Sequence, residues 1–201
     1  MPEQQPIIGH LAPYLRLLRE HPAFGELPEQ ALKTLVVRSD LFAFAAGEQM
    51  LRQGDDSGFA LLITQGEVQV VVETAQGEVA LGRLPAGALV GEVGVFADLP
   101  RTAGVRAHSK VEALKIGRDD VLDIGGADPA FLRAVIRQLG ERMAEFNQAL
   151  GFYCDALARL ERHDFDPRTL EVQAQPLPEF ANLAHGVRRM AERIGLRRPG
   201  Q

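Results

Sequence analysis

The sequence is poor in several residues whose presence would indicate a particular class of protein. Its 201 residues include no tryptophan, one cysteine and two tyrosines. The single Cys154 excludes an internal disulfide and favours a reducing compartment. No apolar run approaches the roughly 20 residues that a membrane helix needs. The N-terminus also lacks the basic and apolar regions of a signal peptide, so we expect a cytoplasmic protein without a membrane segment.

Histidines are also few, and they do not form a pattern that suits a catalytic or metal site. His10, His21, His108, His163 and His185 are scattered along the chain. Small barrels that act as metal-dependent dioxygenases or isomerases need clustered ligands. The sequence has no Ser or Cys nucleophile elbow and no carboxylate pair placed for acid–base chemistry. We therefore expect no enzyme activity, no metal and no cofactor.

The charge balance bears on the class of partner. The chain has 22 basic and 27 acidic residues, for a net charge of −5. Binding to nucleic acid depends on a basic face that neutralises phosphates, so this balance disfavours DNA as the main partner. Apolar residues make up 46% and charged residues 24%, as is usual for a globular protein.

Apolar periodicity changes once along the chain. Residues 10–38 have helical spacing and predict two short helices. From Leu41 the period becomes two, and turn residues recur at short intervals, which predicts a sandwich or small barrel of short strands. These turn residues are Gly47, Gly54-Asp55, Gly66, Gly77, Pro85–Gly87 and Gly104. Gly66 is expected at a hairpin position with positive φ.

The most informative stretch is 91–107, where a glycine-flanked carboxylate and an arginine flank a run of small residues. Glu92 follows Gly91, and Arg101 lies farther along. Small residues let backbone N–H groups converge, and an arginine above such amides suits a phosphate. A carboxylate nearby repels a phosphate but accepts a hydrogen bond from a sugar hydroxyl. The pattern predicts a site for a nucleotide whose phosphate lies close to its ribose. The alternative is a glycine-rich turn with a solvated arginine.

This stretch, with Gly-Glu, an apolar turn, Pro-Arg-Thr-Ala and a Val-x-Ala strand, resembles the phosphate-binding cassette of cyclic-nucleotide-binding domains. Such domains occur in bacterial catabolite activators and protein kinase regulatory subunits, and the resemblance extends over about 22–150. It implies that Arg101 holds the cyclic phosphate and Glu92 the ribose 2′-hydroxyl. It further implies ligand contacts from Gly91, Val93, Gly94, Thr102 and Ala103. The ligand is then cyclic AMP or cyclic GMP. Thr102 is compatible with both, and we favour cyclic AMP.

A long helix is predicted after the barrel. Asp128-Pro129 has the form of an N-cap followed by a first-turn proline. Apolar residues then recur at alternating gaps of four and three, which indicates a parallel dimer through residues 132–160. These are Leu132, Ile136, Leu139, Met143, Phe146, Leu150, Tyr153, Leu157 and Leu160. The resemblance implies base contacts from Arg142, Phe146 and Asn147, although a place in the dimer core is the favoured alternative for Phe146.

The last segment separates the two leading functions. After Arg162 the chain reads as a linker and one tail helix, which is too short for the winged helix-turn-helix of related activators. We therefore favour a regulatory protein that senses cyclic AMP, with cyclic GMP as the second candidate ligand, and relays its binding through the long helix to a protein partner on the tail. A DNA-binding regulator with a degenerate or missing helix-turn-helix is the alternative, and a barrel-fold enzyme ranks last.

The predicted fold is α+β, an eight-stranded β jelly-roll (double-stranded β-helix) barrel with helices at both ends. Its parts are a helical lead-in over 1–38, the barrel over 39–127, a dimerisation helix over 128–162, and a linker with a tail helix over 163–201.

Overall fold

A computed structural model describes residues 3–5, 11–126 and 128–162 of the chain. Within these ranges it contains nine strands and five helices. The helices are α1 (Ala12–Glu20), α2 (Glu29–Arg38), α3 (Glu92–Ala97), α4 (Arg118–Gly125) and α5 (Pro129–Glu161). The strands are β1 (Glu3–Gln5), β2 (Asp40–Phe44), β3 (Gln49–Leu51), β4 (Phe59–Gln65), β5 (Glu67–Thr74), β6 (Gly77–Pro85), β7 (Leu89–Val90), β8 (Gly104–Ala107) and β9 (Val111–Gly117).

The strands form a sandwich of two antiparallel sheets. One sheet has the order β1-β2-β9-β4-β7 and the other the order β3-β8-β5-β6. The short strands predicted from Leu41 onward are confirmed, and so is the positive φ at Gly66, which is 85°. The closed eight-stranded barrel is not observed among the described residues, because the two sheets do not join along an edge. The structure has one strand more than the eight predicted. This strand is β1, which lies in the segment predicted as a helical lead-in. Its three polar residues carry no periodic signal.

The five-stranded sheet has an apolar cluster on each face. In β4, Ala60 and Leu62 face a cluster that includes residues of α1, α2 and α5. Leu61 and Ile63 face the opposite way, into a cluster shared with the four-stranded sheet. Alternate residues of a strand point to opposite faces, so this short apolar run serves both cores. The two predicted N-terminal helices are confirmed, and Leu18 of α1 packs in the first cluster.

The long helix α5 begins where the sequence predicts. The Oδ1 atom of Asp128 accepts hydrogen bonds from the backbone N–H groups of Ala130 and Phe131 at 2.8 and 3.3 Å, so Asp128 caps the helix. The helix continues through Gly140 and Gly151, where the sequence allowed a break.

The chain divides into two compact units. The first contains the described residues up to Val79 and those from Arg83 to Leu139, and therefore both sheets apart from Ala80–Gly82 of β6. The second contains Ala80–Gly82 and the part of α5 that begins at Gly140. The predicted tail over 163–201 lies outside the described residues. Within the described ranges, no helix is both long and apolar enough to cross a membrane.

Candidate functional site

The predicted cassette is built around the turn between β7 and α3. Gly91 has a φ of 78°, a left-handed conformation that side chains rarely adopt. A Cβ atom at this position would also collide with Nη1 of Arg101 and lie 2.9 Å from Cδ1 of Leu51. Glycine is therefore required at Gly91 both for its backbone conformation and for the close approach of the arginine.

Arg101 is held by backbone carbonyl groups. Only 4% of its surface is exposed. Its Nη1 donates to the carbonyl oxygen of Gly91 at 2.7 Å, and its Nη2 donates to that of Phe59 at 2.5 Å. The backbone N–H of Arg101 also donates to the carbonyl oxygen of Asp55 at 2.8 Å. A guanidinium has five N–H donors, so two carbonyl acceptors leave it donors with which to bind a ligand.

Glu92 supplies the negative charge of the site. Its exposed fraction is 1%, at the first residue of α3. Burial lowers the pKa of the Arg101 guanidinium, while the carboxylates of Glu92 and Asp55 act to raise it. Because arginine starts from a pKa far above neutral, the guanidinium stays charged at pH 7. The site therefore combines a buried cation with a buried carboxylate, and their binding of a phosphate and a ribose stays a prediction.

The other predicted cassette residues line the same loop and helix. Val93 and Ala103 are half-buried, whereas Thr102 is exposed. Gly94 is buried in α3, and any side chain there would collide with Ser57. The hydroxyl of Ser57 is buried and has no hydrogen-bond partner among the described residues.

Two links connect the cassette to the helices that follow it. Asp98 ends α3 in a left-handed conformation, with a φ of 54°, and its carboxylate forms an ion pair with Arg118, the first residue of α4. The ring of Phe96 in α3 packs edge-on against Phe131 in α5, with 6.1 Å between the ring centroids. Helix α3 and its C-cap residue Asp98 thus contact both α4 and the first turn of α5.

The residues predicted to contact the base lie on the second unit. Arg142 is half-buried, and Phe146 and Asn147 are exposed, with Phe146 at 57%. The structure brings Arg101 and Glu92 together beside Gly91, and the ligand contacts of all the predicted site residues stay predictions.

Several residues of the site were not identified from the sequence. Phe59 and Asp55 reach Arg101 through their carbonyl oxygens, and Ser57 lies against Gly94. Any residue can supply a backbone carbonyl oxygen, so the residue type gives no sign of such an acceptor.

Among the described residues, no group of histidine, cysteine and acidic side chains is arranged to hold a metal ion.

Comparison of the sequence with known proteins finds similar domains. Residues 41–127 match the family model described as the cyclic nucleotide-binding domain. The chain is 30% identical over 106 residues to the cAMP-dependent protein kinase regulatory subunit of Emericella nidulans, a match that covers 53% of this chain and 25% of that protein. It is 33% identical over 109 residues to the cGMP-dependent protein kinase, isozyme 1, of Drosophila melanogaster, which covers 52% of this chain and 14% of that protein. The chain therefore spans a quarter or less of these two relatives.

The fold has a counterpart among solved structures. A cyclic nucleotide-binding domain from Methylobacillus flagellatus KT matches with a TM-score of 0.58 at 23% identity, over 73% of this chain and 84% of that one. At this identity the likeness concerns the fold. Residues 41–127 therefore match the cyclic nucleotide-binding domain family in sequence, and the sandwich that contains them has the fold of such a domain.

Proposed function

We propose that this chain is a regulatory protein that senses cyclic AMP and relays its binding through α5 to a protein partner. The observation that carries the proposal is the buried pair of Arg101 and Glu92 beside the turn at Gly91. A buried guanidinium that has more N–H donors than carbonyl acceptors among the described residues suits the single charge of a cyclic phosphodiester. The adjacent carboxylate suits the ribose 2′-hydroxyl as a hydrogen-bond donor.

The proposal also includes the identity of the base in the cyclic nucleotide. Arg142, Phe146 and Asn147 are the residues that we assign to the base, and Thr102 is compatible with either purine. The two kinases that the chain resembles are named for different cyclic nucleotides, so this resemblance does not separate cyclic AMP from cyclic GMP. We favour cyclic AMP on the basis of the sequence of residues 91–107.

A relay can begin at the contact between Phe96 of α3 and Phe131 of α5. If the ligand binds one position of α3 more tightly than another, it also shifts the population of positions of α5. Phe131 packs in the same apolar cluster as Ala23, Phe24 and Leu27. A movement of its ring would therefore also displace these residues. We place the partner on the tail after α5.

We also propose that α5 forms a parallel homodimer. Its heptad side chains are largely exposed within the described residues, among them Ile136 at 69% and Met143 at 65%. A continuous apolar row on one helix is the seam of a coiled coil, and a second copy of the same helix covers it symmetrically. Leu132, Phe146, Leu150 and Leu157 extend the row.

The decisive experiment is a calorimetric titration of the protein with cyclic AMP, cyclic GMP and linear AMP. Saturable binding of a cyclic nucleotide, much tighter than that of linear AMP, supports the proposal. Absence of binding by either cyclic nucleotide at millimolar concentration refutes it. A mobility-shift assay against genomic DNA, with and without the ligand, tests the alternative of a DNA-binding regulator. We expect no shift, given the net charge of −5.

A further inference from the structure

Phe59 contacts the Arg101 guanidinium in two different ways. Its carbonyl oxygen accepts a hydrogen bond from Nη2 at 2.5 Å. Its ring lies against the same group, with Cζ of Arg101 4.8 Å from the ring centroid. This distance is in the range of a cation–π interaction, which attracts a guanidinium to the face of an aromatic ring. Any residue could supply the carbonyl oxygen, whereas the second contact needs an aromatic side chain at this position.

The pairing of β4 places Phe59 at this point. Phe59 is the first residue of β4 and lies opposite Gly117 of β9. It is half-buried, and its side chain packs against the apolar cluster between the two sheets. A cation–π contact that is partly shielded from water is stronger than one on an open surface. The fold therefore brings both the ring and the carbonyl oxygen of one residue to the guanidinium.

The hydrogen bonds and the ring restrict different movements of the guanidinium. The carbonyl oxygens of Gly91 and Phe59 fix where Nη1 and Nη2 lie. A hydrogen bond tolerates some bending, so the plane of the group can still tilt about the line through these two atoms. The ring limits this tilt, because tilting moves part of the guanidinium away from it. The tilt matters because a planar guanidinium binds phosphate oxygens best when its N–H groups point directly at them.

We propose that the ring of Phe59 is a positioning group of the phosphate site, which holds the plane of the Arg101 guanidinium in the orientation that receives a cyclic phosphate. The inference rests on the proposed function, because it takes the phosphate to lie at Arg101. A side chain that is ordered before the ligand arrives loses less rotamer freedom on binding. The ring therefore raises the affinity through the arginine.

The test compares Phe59→Leu with wild type in two measurements. Leucine keeps an apolar side chain and the backbone acceptor but has no ring. Titration with cyclic AMP and cyclic GMP should show binding weakened about threefold to tenfold. In the ligand-free protein, the NMR order parameter of the Arg101 Nε–H group should fall from about 0.85 in wild type to about 0.6. Phe59→Tyr retains the ring and should match wild type in both measurements.

Phe42→Leu is the matched control. Nζ of Lys115 lies 4.8 Å from the centroid of the Phe59 ring and 5.6 Å from that of the Phe42 ring, and both rings pack against the same apolar cluster. Within the described ranges, the cation over the Phe42 ring is Lys115 and not Arg101. This variant therefore removes a ring and a lysine contact while Arg101 keeps its own contacts. It should leave the affinity and the order parameter as in wild type, and thermal melting of each variant measures the effect on folding.

An unchanged affinity in Phe59→Leu would overturn the inference. A weaker affinity with Arg101 as ordered as in wild type would also overturn it, since the ring would then act on packing or on the ligand itself. So would an equal loss in Phe42→Leu. Cyclic nucleotide binding by wild type tests the proposed function separately. That function stands if wild type binds while Phe59→Leu binds equally well, and both ideas fail if wild type does not bind.

Discussion

At the scale of single residues, the site depends most on how Arg101 is held. Its guanidinium is buried and lies on two backbone carbonyl oxygens, from Gly91 and Phe59. Arginine loses much rotamer freedom when it is fixed, and here the fold fixes it before any ligand arrives. A phosphate therefore meets an arginine already in place, which favours tight binding by a single side chain.

We expect Arg101→Ala to weaken cyclic nucleotide binding by about tenfold to a hundredfold, because a charge-assisted hydrogen bond contributes about 1.5–3 kcal/mol. Arg101→Lys should recover only part of the affinity, since an ammonium cannot donate in a planar fork. Calorimetry measures both. The matched control is Arg106→Ala, which removes a half-buried arginine of β8 that bonds to Glu78. If Arg101→Ala binds as well as wild type, the phosphate lies elsewhere.

Ser57 gives a prediction about stability at the same scale. A buried hydroxyl without a partner carries a desolvation cost of about 1–3 kcal/mol. Ser57→Ala should therefore leave the free energy of unfolding unchanged or raise it by about 1 kcal/mol, measured by urea denaturation. Ser39 is the control, because its buried hydroxyl donates to the carbonyl oxygen of Leu35 at 2.7 Å. Ser39→Ala should lower the free energy of unfolding by about 1 kcal/mol. A clear loss of stability in Ser57→Ala would mean that a water or another group satisfies this hydroxyl.

The sequence was sufficient to predict Arg101 and Glu92 as neighbours, because their residue types carry the chemistry. It was not sufficient to predict Phe59 or Asp55, which act through main-chain oxygens that every residue has. The contact of Lys115 with the rings of Phe42 and Phe59 was also not predictable, since it depends on the register of β9 with β2 and β4. Register between distant strands cannot be deduced from local periodicity.

At the scale of elements, the link between α3 and α4 is electrostatic. The hydrogen bond and charge of Arg118 hold the pKa of the Asp98 carboxyl below its usual range. An acid whose pKa is lowered by folding adds stability above its unfolded pKa and loses that contribution as the pH falls through the folded value. The contribution of this pair is therefore present at neutral pH and disappears in acid.

Arg118→Gln should raise the pKa of Asp98 toward that of an ordinary aspartate, because the partner charge is removed while a polar side chain remains. An NMR titration of the Asp98 carboxyl measures the change directly. Glu29 serves as the control, since its pKa is lowered by Lys33 in a separate pair and should not move. If the pKa of Asp98 stays low in Arg118→Gln, the ion pair is not its cause.

The strands and helices were more predictable than their assembly. Local alternation and turn glycines predict β2 to β9, and the cap at Asp128 predicts the start of α5. Whether the sheets close into a barrel depends on pairings between strands far apart in the sequence. The choice between a sandwich and a closed barrel, and the extra strand β1, were therefore beyond what the pattern could show.

At the scale of the whole molecule, the apolar row on α5 should determine the oligomeric state. Ile136→Glu places a charge in the proposed seam, so we expect a monomer at micromolar concentration where wild type is a dimer. Because Ile136 is already 69% exposed within one chain, the change should not disturb folding. Arg137→Glu, on an exposed neighbouring position, is the control and should remain dimeric. Light scattering measures the mass, and a wild type that is monomeric would refute the dimer.

The two carbonyl oxygens under Arg101 have a consequence for how the protein tolerates mutation. An acceptor that belongs to the main chain survives any exchange of its side chain that preserves the local backbone. Position 59 can therefore vary in evolution without removing its hydrogen bond to the guanidinium, whereas position 91 is restricted by space and by its φ. Lineages of this protein should keep a glycine at 91 and an arginine at 101, whereas the side chain at 59 is restrained only by the contact of its ring with the guanidinium, at 4.8 Å.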